Sequence, residues 1–94
     1  MKKPLDRDPW KTVVADLADT SALQALAEGK ASEHQQKRAL DWIITKASGA
    51  YDMSFRPDNE RVTAFAEGKR FVGLSIIHEL KINVGKLRRD QNEV

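Results

Sequence analysis

From Asp58 to Lys81 the chain carries a helical repeat that leaves little freedom of fold: Val62, Phe65, Ala66, Val72, Ile76 and Leu80 form one stripe, and Asp58 stands where a side chain caps free amides. The spacing predicts a helix over residues 59–81, opened by Asn59, Glu60 and Arg61. Two glycines interrupt it. Gly68 and Gly73 each cost about 1 kcal/mol relative to alanine in a helix interior, which points to close backbone approach to the preceding helix or to a partner. Phe71, Leu74 and Ile77 lie off the main stripe at three-residue spacing and give the helix a second apolar flank, more than one neighbouring helix can cover.

A second helix is predicted over residues 33–48. Ser32 and Gln35 match a capping box, and Leu40, Ile43, Ile44 and Ala47 share a face that Trp42 widens, up to Gly49. Between the two helices, Tyr51, Met53 and Phe55 alternate with Asp52, Ser54 and Arg56 before Pro57. This predicts an extended connector over residues 50–57 that presses its three large apolar side chains inward. No other strand-like run exists to pair with it. Upstream, Asp8 and Pro9 read as a helix start, followed by Trp10, Val13, Val14 and Leu17 at helical spacing. Asp19, Thr20 and Ser21 then interrupt and cap a second short helix over residues 22–28, which Gly29 ends in a left-handed conformation. Past Lys81, the residues Ile82, Val84, Gly85 and Leu87 either continue the long helix or make a separate turn. The fold class that follows is all-α: an antiparallel helical pair, residues 33–48 and 59–81, joined by the extended connector and flanked by short N-terminal helices. Residues 1–94 form one domain, with a flexible arm at 1–8 and a frayed tail at 90–94.

Chemistry is hard to build from these residues. The chain has no cysteine, which removes disulfides, thiolate metal sites and thiol nucleophiles. His34 and His78 match no metal-ligand spacing, and Asp52, Asp58 and Glu60 match no calcium loop. The glycines are isolated: Gly68-Lys69 lacks the upstream glycine and following Ser or Thr of a phosphate loop, and no nucleophile elbow is present. The expectation is a non-enzymatic protein with no catalytic residue, metal or cofactor. No apolar run reaches the roughly 18 residues of a membrane span, and the first residues hold no hydrophobic signal core, so a cytoplasmic, non-membrane protein is expected.

Sixteen basic residues against fourteen acidic ones give a net charge of +2, too little to argue for nucleic acid. The distribution is more telling. Lys81, Lys86, Arg88 and Arg89 form an acid-free basic segment, and Asp52, Asp58 and Glu60 an acidic elbow. The basic segment could touch phosphates non-specifically, but no helix-turn-helix is evident around Gly29.

The run from Tyr51 to Leu74 resembles the core of a family of small tailed-bacteriophage proteins from the head and packaging gene module. The resemblance rests on Phe65, Glu67, Gly68, Lys69, Arg70, Val72 and Gly73, preceded by Phe55 and Asp58, and extends over roughly residues 35–85. It implies a virion component or assembly factor made in the host cytoplasm, and it brings no catalytic residue. On that footing Trp10, Val14, Glu67, Gly68, Lys69, Arg70, Phe71 and Leu74 are the expected protein interface, meeting further copies of the chain or phage head, portal or connector proteins. The alternative is a DNA-binding accessory factor, for packaging or regulation, that uses Lys81, Lys86, Arg88 and Arg89.

Overall fold

A computed structural model describes residues 13–92. Within them the fold is all-α with no strand: α1 is Leu17–Ala27, α2 is Glu33–Asp41 and continues into a π-helical turn at Trp42–Ala47, α3 is Glu60–Leu80 and α4 is Val84–Asn92. The expected flexible arm and the start of the first expected helix, Trp10 included, lie outside the described residues.

The N-terminal part differs from the spacing argument. Val13 to Asp16 are not helical, and one helix replaces the expected interruption at Asp19 to Ser21. Asp16 and Asp19 form a reciprocal capping box: the Asp19 amide donates to Asp16 Oδ1 at 2.8 Å and the Asp16 amide to Asp19 Oδ2 at 3.2 Å. Asp19, read with Thr20 and Ser21 as a break, therefore belongs to the first turn of α1. Gly29, at φ +73°, ends it as the sequence anticipates.

The Ser32–Gln35 capping box forms as expected, and α2 packs along α1. The pairing with α3 is carried mainly by the second half of the expected helix, the π turn. There the Ser48 amide bonds the Ile43 carbonyl, five residues back, and the Ser48 hydroxyl bonds the Ile44 carbonyl. The widened turn carries Ser48, Gly49 and Ala50, all buried, onto the middle of α3.

Gly73 is where they land. A Cβ built on Gly73 would sit 2.0 Å from Ser48 Oγ and 2.9 Å from Ala50 Cβ, so only glycine allows this approach. The contact fixes the rotation of α3. Val62, Ala66 and Gly73 become its buried line, while Phe65, Val72 and Leu80 of the expected inner stripe are left exposed. Gly68, expected to serve a close approach as well, has nothing within 4 Å of where a Cβ would stand.

The cap of α3 is Asn59, not Asp58: Asn59 Oδ1 accepts from the amides of Arg61 at 3.0 Å and Val62 at 3.1 Å. The connector is also inverted relative to expectation. Tyr51, Met53 and Phe55 are exposed, as is Asp52, while Ser54 and Arg56 are the half-buried members of the alternation. Ser54 donates to Glu67, the Arg56 amide to Thr63 Oγ1 at 2.7 Å, and Arg70 Nε to the Ala50 carbonyl at 3.0 Å. A segment with no neighbouring strand must satisfy its backbone elsewhere, and α3 offers hydroxyl, carboxylate and guanidinium groups rather than an apolar bed.

Past a break at Lys81 to Asn83, Asn83 Oδ1 accepts from the Lys86 amide at 2.9 Å and α4 forms as a separate helix. Asp90 to Asn92, expected to fray, belong to it.

Candidate functional site

What the fold buries is small. The apolar core of the described residues is Ala22, Ala39, Ile44, Ala50, Val62 and Ala66, and none of their large side chains is fully buried. The principal extents of 59 × 33 × 16 Å describe a slab no more than two helices thick, so each helix keeps a face with no element over it. On α3 that face is apolar. Phe71 is 70% exposed and Leu74 38% exposed, and with Ser75, His78 and Glu79 they line a shallow open groove.

The groove sits on one helix because its residues recur at helical spacing, and it is uncovered because Gly73 sets the rotation of α3. The buried line Val62, Ala66 and Gly73 turns inward, which leaves Phe71 and Leu74 on the far flank. The sequence identified Phe71 and Leu74 but not their companions. Ser75 and His78 stand four residues beyond Phe71 and Leu74 respectively, a spacing that could have placed them there.

The other expected interface residues are spread out. Glu67 accepts from Ser54 and stands 3.9 Å from Arg70 Nη1, so it braces the connector as well as facing solvent. Arg70 is directed at the Ala50 carbonyl, Lys69 is partly buried beside the inner line, and Gly68 is open. Val14 is exposed on the extended segment before α1, where its carbonyl accepts from Trp42 Nε1 at 3.4 Å. Trp10 lies outside the described residues.

The four basic residues do not form one face. Lys81 ends α3; on α4, Lys86 and Arg89 are three apart and share a side, while Arg88 is turned well away from them.

Electrostatics concentrate elsewhere, at the α1–α2 contact. Asp19 is buried, and it receives Arg38 Nε at 2.9 Å and Lys46 Nζ at 3.5 Å. Burial by itself would raise the Asp19 pKa, but the Asp16 amide and the Arg38 and Lys46 cations outweigh it and hold the carboxyl below its ordinary value. Arg38 is correspondingly raised, chiefly by its bond to Asp19. This cluster was not anticipated from the sequence, which assigned Asp19 to a cap. It is a clasp between helices, every member accounted for by its partners.

Comparison with protein-family models, curated proteins and solved structures gives no match. The surface must be read on its own chemistry. Among the described residues, no group of three His, Asp or Glu side chains could hold a metal ion, and no helix is long and apolar enough to cross a membrane. Both histidines are exposed, His34 in the first turn of α2 and His78 in the last turn of α3.

Proposed function

We propose that this chain is a bacteriophage structural or assembly protein that works by protein–protein contact, both with copies of itself and with head, portal or connector proteins, and performs no reaction of its own. The observation that carries the reading is the exposed Phe71–Leu74 ridge on a fold whose core is built mainly of alanines. Isolated exposed apolar residues are ordinary, but a ridge on the longest helix, beside a core too thin to stabilise much, is the mark of a surface that meets another protein. The phage assignment rests on the resemblance of residues 51–74, with its place in the host cytoplasm during assembly and in the virion. The dispersal of Lys86, Arg88 and Arg89 around α4 favours this reading over a DNA-binding accessory.

Light scattering on the purified protein tests it: a multimer is expected, and Phe71→Ser with Leu74→Ser should give a monomer with an unchanged helical circular dichroism spectrum. A wild-type monomer at all concentrations that also binds no phage head, portal or connector protein would sink the proposal. Unfolding of the double variant would instead assign the ridge to the chain's own core.

A further inference from the structure

Glu67, Phe71, Leu74, His78 and Lys81 are all exposed and follow one another at steps of four, three, four and three residues. That is the spacing of a coiled-coil seam, and it lies about 120° around the helix from the buried line through Val62, Ala66 and Gly73. The seam reads the same from both ends in kind. Leu74 is its middle, Phe71 and His78 are the large rings on either side, and the termini are opposite charges, Glu67 and Lys81.

This symmetry discriminates between partner orientations. Two seams laid parallel would set Glu67 on Glu67, His78 on His78 and Lys81 on Lys81. Laid antiparallel about Leu74, they set Glu67 on Lys81 at both ends and Phe71 on His78 twice, with the two Leu74 side chains meeting at the axis. Only the second arrangement pairs every charge with its opposite, and like charges held in register oppose the first. An isologous contact of this kind closes on itself as a dimer. Glu67 is already held in place by Ser54 and Arg70, so its carboxylate loses little freedom on pairing.

We propose that a second copy of this chain docks on α3 in antiparallel orientation, about a two-fold axis at Leu74, with Glu67 of each copy against Lys81 of the other. The inference rests on the protein-contact reading above and adds to it the identity, direction and register of one partner.

Charge reversal tests it, read by sedimentation velocity at low ionic strength over a concentration series. Glu67→Lys and Lys81→Glu should each weaken the dimer at least tenfold. The double variant, and an equimolar mixture of the two single variants, should recover it. A parallel dimer would respond differently, since neither single variant nor the double variant would then differ from wild type. Lys81→Glu carries the test should Glu67→Lys disturb the connector. The absence of cysteine allows a second readout: a spin label on Ala64→Cys, ten residues from the axis, should report a separation of about 30 Å in the antiparallel pair, against about 10 Å between helix axes in a parallel one. A multimer indifferent to both reversals, or a short label distance, overturns this inference and leaves the protein-contact reading standing. A wild type that stays monomeric overturns the dimer itself, and binding to phage proteins then decides the broader reading alone.

Discussion

Arg38 clasps α1 to α2 by reaching two carboxylates at once: its Nε donates to Asp19 Oδ1 at 2.9 Å, and its Nη2 lies 3.1 Å from both oxygens of Asp16. The same two aspartates cap α1, so one guanidinium joins the helix start to its neighbour. Replacing Arg38 by alanine leaves Asp19 buried with only Lys46, at 3.5 Å, to balance it. Arg38→Ala should lower the melting temperature clearly, and Arg38→Lys should recover only part of the loss, because an ammonium cannot reproduce the forked geometry. Lys37→Ala, which breaks the exposed Glu33–Lys37 pair, is the control and should leave the melting curve unchanged.

The clasp also gives the fold a pH dependence of known sign. The Asp19 carboxyl is held below its ordinary value in the folded chain, so the unfolded chain binds its proton first as pH falls. Its contribution is fully present above about pH 4, the unfolded value, and disappears as pH drops through the lower folded value. Thermal melts between about pH 2 and pH 6 should show this acid loss in the wild type, and Asp19→Asn should be less stable at pH 6 with a flatter acid limb. An equally steep acid limb in the variant would place the dependence on another carboxylate.

Gly68 and Gly73 looked equivalent in the sequence and should behave oppositely. Gly73→Ala puts a methyl into Ser48 and Ala50, both held by the π turn, and should destabilise by about 1–3 kcal/mol. Gly68→Ala meets nothing within 4 Å and removes a flexible residue from a helix interior, so it should stabilise the monomer by up to about 1 kcal/mol. Denaturant midpoints of the two variants measure the contrast. Equal effects would contradict the rotation of α3 described above.

This pair shows what was legible and what was not. Periodicity located α2 and α3, and the Ser32–Gln35 box and Gly29 marked real ends, because those signals are local. Which side of α3 faces inward is decided by a contact between Gly73 and Ser48, twenty-five positions apart and brought together by a π turn that has no clear local signature. The apolar stripe therefore placed Val62 and Ala66 inward correctly, but also Phe65 and Val72, which are exposed, and it passed over Gly73, which is buried. The same logic misled at the connector, where alternation suggested an inward apolar face. Asp19 was hidden for a related reason: its partner Arg38 is nineteen residues away. Phe71 and Leu74 are exposed, as the sequence anticipates, because excess apolar surface can be counted without knowing the rotation.

The connector supplies a further check. Thr63 Oγ1 both accepts from the Arg56 amide at 2.7 Å and donates to the Arg56 carbonyl at 3.1 Å, fastening the segment to the first turn of α3. Thr63→Val keeps the shape and removes both bonds, which should cost about 1 kcal/mol. Phe55→Ser removes an exposed ring and should change stability by less than about 0.5 kcal/mol. If instead Phe55→Ser were the costlier change in urea unfolding, the apolar phase of the connector would be the one facing inward.

The basic end of the chain can be judged by salt. Each phosphate that a cation neutralises on duplex DNA steepens the dependence of log affinity on log salt by about 0.9. Lys86 and Arg89 share a side of α4, whereas Arg88 points away and Lys81 lies across the break at the end of α3. A duplex lying along α4 therefore meets two of the four cations, and the slope should be no steeper than about −2. Anisotropy of a labelled duplex between about 50 and 200 mM salt measures it. A slope near −4 would require all four cations to converge on one duplex, and this end of the molecule would then be a nucleic-acid surface after all. Lys86→Ala should flatten the slope by about one, and Arg88→Ala should leave it unchanged, since only the first removes a cation from the shared side.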